Sequence, residues 1–109
     1  MKKYDAIIIG AGHNGLTNAT YLAKAGLNTL VIEKNDYIGG AAVTRELHEG
    51  WFYSNCSYVC SMMRQSIHRD LNLTKHGLIL VPYLGTVTFG DSGDTISAYH
   101  SEGPYYNEL

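Results

Sequence analysis

The stretch Tyr4–Gly15 reads YDAIIIGAGHNG, an apolar run that leads directly into three spaced glycines. A helix-like pattern follows at once. The three glycines therefore form a G-x-G-x-x-G pattern between a predicted strand and a predicted helix, which is the context in which this pattern indicates a binding loop. Gly10 allows a sharp turn out of a strand, Gly12 leaves the backbone open to a pyrophosphate, and Gly15 lets the helix pack close to the strand. The unpaired N–H groups at the start of the helix also favour an anion. The stretch therefore predicts a dinucleotide-binding β-α-β unit.

A carboxylate and a second glycine pair follow this stretch. The apolar segment Asn28–Ile32 predicts a second strand, which leads into Glu33. Glu33 lies near the offset of ~20 residues expected for the carboxylate that binds a ribose hydroxyl. Gly39 and Gly40 offer a second place where backbone can lie against a cofactor, and a flexible turn is the alternative. A G-x-G-x-x-G pattern alone also occurs in plain glycine turns. The second strand, Glu33 and the second glycine pair favour the interpretation as a binding loop.

The other patterns predict the order of elements along the chain. Continuous apolar runs are typical of strands buried in a parallel sheet, and apolar residues at helical spacing predict helices. The predicted elements are a strand at Tyr4–Ile9, a helix at Asn14–Ala25, a strand at Leu27–Ile32, a polar irregular stretch at Thr44–Gly50, a short strand leading to a helix within Ser54–Met63, a helix at Ser66–His76, a strand at Leu78–Val81, and a hairpin of Thr86–Phe89 with Thr95–Tyr99. Residues 102–109 begin with a breaker and add no predicted element.

The composition limits the classes of function. The chain has 109 residues, of which 17% are charged, and a net charge of −2 at pH 7. This charge gives no support for nucleic acid or an anionic membrane surface as a partner. No apolar run approaches the ~18 residues of a membrane helix. Asp91 and Asp94 flank Ser92 and Gly93 in a predicted hairpin loop, where we expect turn residues and no metal site.

The two cysteines, Cys56 and Cys60, do not form the C-x-x-C pattern of a redox pair. They also supply too few ligands for a structural zinc site. We expect two buried, reduced thiols, which is a usage typical of the cytoplasm.

These patterns together predict an α/β fold, a Rossmann-like FAD- or NAD(P)-binding β-α-β unit with a small appended region of helix and β-hairpin. Residues 1–109 are expected to be the amino-terminal part of one binding domain. Residues 1–42 would form its dinucleotide-binding core, and residues 43–109 would begin the following helix and hairpin region. Two parallel strands and one helix cannot make a doubly wound sheet alone, so we expect an incomplete domain.

The motifs also resemble a known family. The order GAGHNGL, VIEK and IGGAAVT, then the aromatic and serine stretch Trp51–Tyr58 and DLNLTKHGL at Asp70–Leu78, is similar to FAD-dependent oxidoreductases of the phytoene desaturase and carotenoid isomerase type. The resemblance covers Tyr4 to at least Leu78 and is to the amino terminus of these enzymes. Such enzymes are several times longer than this chain, so the resemblance implies an amino-terminal fragment.

The resemblance implies FAD as the cofactor and a role for each residue of the glycine segments. Glu33 would bind the adenosine ribose, and Lys34 would flank it near the adenine. The pyrophosphate would lie on the first glycine loop, and the second glycine segment would pass close to the flavin half. The implied cofactor-binding residues are Gly10, Ala11, Gly12, His13, Asn14, Gly15, Glu33, Lys34, Gly39, Gly40, Ala41 and Ala42. No catalytic residue is assigned, because the groups that tune the flavin are expected mostly outside this segment.

The residue after the glycine pair bears on the type of reaction. Many relatives in the wider amine oxidase group have arginine there, whereas this chain has Ala41. The resemblance therefore favours desaturase- or isomerase-like chemistry on a hydrophobic or isoprenoid-like substrate in the full-length enzyme. One alternative is a segment of an NAD-dependent dehydrogenase, since Glu33 serves either nucleotide. The other alternative is a truncated nucleotide-binding module without activity.

Overall fold

A parallel β-α-β unit forms the first part of the chain. The computed structural model describes residues 2–83 and 85–99, with the side chains of 97–99 left out. In it, β1 spans Ala6–Ile9, α1 spans His13–Lys24 and β2 spans Thr29–Ile32. The two strands pair in parallel, with Ala6 opposite Thr29. The predicted strand–helix–strand order is confirmed, with small shifts at the ends of the elements.

Glycines mark both ends of α1. Gly12 is the N-cap residue, and the Leu16 N–H donates the first helical hydrogen bond to the Gly12 carbonyl at 2.9 Å. At the other end Gly26 has a φ of 92°, and the Leu27 N–H donates to the Leu22 carbonyl at 3.1 Å. This is the hydrogen-bond pattern of a Schellman motif, which satisfies the last carbonyls of the helix and directs the chain toward β2.

An antiparallel hairpin forms where an irregular stretch was expected. β3 (Thr44–His48) pairs with β4 (Trp51–Ser54), so the prediction for Thr44–Gly50 is wrong. All residues of both strands are exposed, and neither TRELH nor WFYS has the alternation of apolar and polar residues that identifies a strand in a sequence. The Glu46 carboxylate stabilises the turn by accepting the Gly50 N–H at 2.7 Å.

The predicted helix at Ser66–His76 is interrupted. α2 spans Gln65–Asp70, and a short 3₁₀ helix follows at Leu73–His76. Asn72 lies between them with a φ of 52°, a left-handed conformation in which asparagine is enriched. The chain therefore changes direction inside the predicted helix. In the described part of the chain, neither α-helix is long and apolar enough to cross a membrane.

The connecting segments differ from three expectations. Residues 55–64, after β4, form neither a strand nor a helix. No strand forms at Leu78–Val81, where no partner strand lies alongside within the described residues; strands are stable only when paired. Cys56 and Cys60 are exposed free thiols, so the expectation of burial is wrong. Both lie in the irregular segment 55–64, which has no helical or strand face to bury them.

Contacts between Cα atoms divide the chain into two units, Met1–Leu78 and Ile79–Leu109. The second unit contains β5 (Gly85–Phe89) and β6 (Thr95–Tyr99), which pair antiparallel, so the predicted hairpin is confirmed. In its loop the Asp94 carbonyl accepts the Gly90 N–H at 2.7 Å, which is a turn role for this residue. The predicted end of regular structure at 102–109 lies outside the described residues, and the division of the domain at residue 42 stays a prediction.

Very little of the described chain is buried. Ala11 and Ala19, at 2% and 7% exposure, are the only buried apolar residues among those described. Ile7 and Ile9 of β1 are 56% and 89% exposed. The β1–β2 sheet therefore presents an uncovered apolar face, and burial contributes little to its stability.

We expect the chain by itself to be only marginally stable, because its parallel sheet has an open apolar face and unpaired edges within the described residues. In a urea titration followed by circular dichroism we expect a broad transition at low urea. A sharp transition at high urea in a demonstrated monomer would contradict this expectation.

Candidate functional site

The first glycine loop leaves β1 in a conformation that only glycine adopts readily. The Gly10 N–H continues the parallel ladder by donating to the Ile32 carbonyl at 2.7 Å. Gly10 itself has a φ of 98°, so a side chain at this position would be strained. The turn therefore brings the chain from the end of the sheet to the N-terminus of α1 within a few residues.

Gly15 and Gly12 lack side chains for different reasons. A Cβ on Gly15 would lie 2.2 Å from the Gly10 carbonyl oxygen, so the close packing of α1 on the loop requires glycine. Gly12 has a φ of −74°, which any residue adopts, and a Cβ there would meet only the Gly40 Cα at 3.8 Å, an ordinary contact. Neither backbone conformation nor packing among the described residues thus requires glycine at position 12.

The N-terminus of α1 presents unused hydrogen-bond donors. The N–H groups of His13, Asn14 and Gly15 precede the first helical hydrogen bond, and no side chain among the described residues caps them. Such groups point along the helix axis at the positive end of the helix dipole. Together with the bare backbone at Gly12, they form a surface that suits a phosphate.

Glu33 lies directly after β2 and is bonded to the glycine loop. Its Oε2 accepts the Ala11 N–H at 2.7 Å. Its Oε1 accepts the backbone N–H groups of Lys34 and Asn35, each at 2.9 Å, and the Asn35 side-chain amide at 3.0 Å. The backbone hydrogen bonds from Asn35 and Ala11 lower the pKa of Glu33 below its ordinary value. The side chain is therefore a carboxylate at neutral pH.

The carboxylate retains acceptor capacity. A carboxylate offers about four lone-pair sites, two on each oxygen. Three donors occupy Oε1 of Glu33, whereas Oε2 accepts only the Ala11 N–H among the described residues. One lone pair of Oε2 is thus available to a hydroxyl donor from a ligand.

The second glycine pair lies against the first loop. The Gly39 N–H donates to the Ala11 carbonyl at 2.8 Å, and Gly12 and Gly39 form an isolated parallel bridge. A Cβ on Gly40, whose φ is 59°, would lie 2.9 Å from the Gly12 Cα. The sequence predicts that Gly39 and Gly40 lie beside a cofactor. It does not predict their contact with the first glycine loop, because no local pattern indicates a contact between residues so far apart in the chain.

The remaining predicted site residues lie around these contacts. Ala41 is exposed, and so is Lys34, whose side chain makes no hydrogen bond within the described residues. Ala42 ends a 3₁₀ turn, Gly40–Ala42, and lines a cavity of about 710 Å³ together with His13 and Asn14. The structure therefore brings the two glycine segments and Glu33 together, and leaves Lys34 and Ala41 at the surface.

The cavity is also lined by residues for which the sequence predicted no role in the site. They come mainly from the irregular segment before α2 and from α2 itself: Ser57, Val59, Cys60, Ser61, Met62, Met63, Arg64 and Ile67. No sequence pattern assigned these residues to a site, although the aromatic and serine stretch Trp51–Tyr58 pointed to the start of this segment. Among the described residues, no three His, Cys, Asp or Glu side chains are grouped so that they could hold a metal ion.

The parallel β-α-β unit, with its bare helix N-terminus and the carboxylate after β2, defines a nucleotide-binding segment of the Rossmann type. The model of the NAD(P)-binding Rossmann-like domain matches residues 8–71, and the chain belongs to this family.

Curated relatives agree with the predicted resemblance. The chain is 54% identical over 78 residues to pyridine nucleotide-disulfide oxidoreductase domain-containing protein 2 of Rattus norvegicus, covering 72% of this chain and 13% of the relative. It is 34% identical over 92 residues to phytoene desaturase of Neurospora crassa, covering 84% of this chain and 12% of the relative. The resemblance to the phytoene desaturase type is confirmed, and the chain spans only a small part of the length of these relatives.

Solved structures share the fold. Putrescine oxidase bound to putrescine aligns with 93% of this chain and 22% of its own, at 28% identity and a TM-score of 0.59. The CLA-producing fatty acid isomerase from P. acnes aligns with 88% of this chain and 22% of its own, at 26% identity and a TM-score of 0.62. The predicted Rossmann-like α/β class is confirmed.

We expect Gly15→Ala and Gly40→Ala to destabilise the chain by about 1–3 kcal/mol, because the new Cβ overlaps backbone atoms. Gly12→Ala is the matched control, since its Cβ makes only an ordinary contact. Urea unfolding followed by circular dichroism measures the three variants beside the wild type. Equal unfolding free energies for all three would show that the glycine contacts described above do not form in solution.

Glu33 makes the glycine loop sensitive to acid. Because its folded-state pKa is lowered, the stabilisation is fully present above the ordinary pKa of 4.5 and is lost as the pH falls through the lowered value. We expect NMR titration of the Glu33 carboxyl carbon to give a pKa below 4.5, with the Ala11 amide resonance moving at the same pH. Glu33→Gln should abolish the pH dependence of the Ala11 amide resonance. A wild-type Ala11 resonance that does not move as Glu33 titrates would contradict the hydrogen bond between the two residues.

Proposed function

We propose that the chain is the FAD-binding segment of a flavin-dependent oxidoreductase. The observation that carries this proposal is Gly12, a glycine that neither its φ nor its packing requires. Its bare Cα lies at the N-terminus of α1, beside uncapped N–H groups. A phosphate that approaches the backbone at this point explains why a side chain is absent.

The geometry fits a dinucleotide laid across the end of the β1–β2 sheet. The N–H groups of His13, Asn14 and Gly15 would bind the pyrophosphate, with Gly10, Ala11 and Gly12 forming the loop beneath it. The free lone pair on Oε2 of Glu33 would accept a ribose hydroxyl, and Lys34 would flank the adenine. When bound, FAD supplies the redox chemistry, and these residues bind and orient it.

The second glycine segment favours FAD over a nicotinamide dinucleotide. Gly39 and Gly40 lie on the loop, and Ala42 continues from them into the cavity beside α1. This gives the far half of a long dinucleotide a path with minimal side chains, along Gly39, Gly40, Ala41 and Ala42. The relatives named as an oxidoreductase domain and a desaturase agree with redox chemistry. NAD binding is the second candidate, because Glu33 suits the ribose of either nucleotide.

The class of substrate follows from the relatives. One acts on phytoene and a structural neighbour on a fatty acid, by their names. We therefore propose a hydrophobic or isoprenoid-like substrate for the whole enzyme, with desaturase- or isomerase-like chemistry as Ala41 suggests. The free thiols of Cys56 and Cys60 support a cytoplasmic location within this proposal.

A titration of the chain with FAD, followed by flavin fluorescence and calorimetry, tests the proposal. We expect saturable binding of FAD that is tighter than the binding of NAD. Gly12→Ala should keep the wild-type circular dichroism spectrum and urea midpoint, because its Cβ has room, yet weaken FAD binding at least about tenfold by obstructing the phosphate.

Asn55→Ala serves as the control, since Asn55 is exposed and is not among the residues that line the cavity. Unchanged FAD affinity in Gly12→Ala would refute the assignment of the loop. Tighter binding of NAD than of FAD by the wild type would replace the flavin proposal with the dehydrogenase alternative. If the wild type binds neither FAD nor NAD, the alternative of a truncated module without activity would describe the chain better.

A further inference from the structure

The cavity beside α1 has a composition that suits an amphiphilic anion. Its volume of about 710 Å³ lies within the range of small-molecule sites. Val59, Met62, Met63 and Ile67 supply apolar surface, and the described residues that line it include no aspartate or glutamate. Arg64 is the cationic side chain in this lining.

Arg64 has no partner of its own in the described part of the chain. Its guanidinium makes no ion pair and no hydrogen bond there, and its side chain does not cap α2. Guanidinium offers five N–H donors in a planar fork that matches a carboxylate or a phosphate. An unpaired arginine beside apolar surface therefore favours an oxyanion attached to an apolar body.

Two hydrogen bonds join the far end of α2 to α1. Arg64 is the N-cap residue of α2, and Asp70 is its last residue. The Tyr21 hydroxyl donates to Asp70 Oδ2 at 2.8 Å, and the Lys24 ammonium donates to the Asp70 carbonyl. These bonds join α2 to α1 within the first unit, at the end of α2 opposite Arg64.

We propose that Arg64 binds an oxyanion of a ligand whose apolar part occupies this cavity. Two sources share this chemistry: a phosphate of the bound dinucleotide, and the carboxylate of a separate apolar molecule. The first source rests on the proposed function, since it needs the dinucleotide on the neighbouring glycine loop. The second does not need it, because the cavity lining alone supplies both the cation and the apolar surface.

Calorimetric titrations of the full chain with FAD and, separately, with dodecanoate test the proposal. The variants are Arg64→Ala and Arg64→Lys, with Arg69→Ala as the matched control. Arg69 is exposed, as Arg64 is, but it lies within α2 and is not among the residues that line the cavity. Circular dichroism verifies that each variant retains the wild-type fold.

We expect Arg64→Ala to weaken one of the two ligands by about tenfold or more, as for the loss of a charge-assisted hydrogen bond. Arg64→Lys should recover part of the affinity, and Arg69→Ala should equal the wild type. A loss for FAD identifies the oxyanion as a phosphate, and a loss for dodecanoate alone identifies it as a carboxylate.

Equal affinities of Arg64→Ala and Arg69→Ala for both ligands would overturn the proposal, and so would a wild-type chain that binds neither. The proposed function fails separately. If the wild type binds dodecanoate but no dinucleotide, the flavin assignment is lost while the effect of Arg64→Ala on dodecanoate still decides the role of Arg64.

Discussion

Ala11 uses both of its backbone polar groups to hold the site together. Its N–H donates to the Glu33 carboxylate at 2.7 Å, and its carbonyl accepts the Gly39 N–H at 2.8 Å. The residue is 2% exposed, which makes these bonds the best protected contacts of the loop. The residue after β2, the first glycine loop and the second glycine pair are therefore joined through the two backbone polar groups of one residue, Ala11.

The parts of this arrangement that depend on local sequence were predictable. The apolar runs and the spaced glycines predicted β1, α1 and β2, because a β-α-β unit is specified by periodicity and by residues next to each other in the chain. Glu33 was also predictable, since the motif fixes its distance along the chain. The hairpin of β5 and β6 followed from two β-branched runs around a glycine-containing loop.

The parts that depend on contacts between distant residues were not. β3 and β4 have no buried face, so no alternation marks them, and Asn72 interrupts a periodic segment through its own backbone conformation. The contact of Gly40 with Gly12 and the cavity lining at Arg64 join segments far apart in the sequence. A single sequence contains no signal for such pairs, because neither partner differs locally from an ordinary glycine or a surface arginine.

The three glycines of the first loop look alike in the sequence and differ in what requires them. The positive φ at position 10 and the close packing at position 15 both require glycine, whereas nothing among the described residues requires glycine at position 12.

Hydrogen bonds assemble the site and almost none of it is buried, so the hydrophobic effect contributes little to the stability of the folded loop. A ligand that binds only the folded loop adds about 2.7 kcal/mol at a hundredfold excess over its Kd. For a marginally stable chain that increment is large compared with the free energy of unfolding. Binding of a ligand at the bare backbone of Gly12 therefore also stabilises the folded loop.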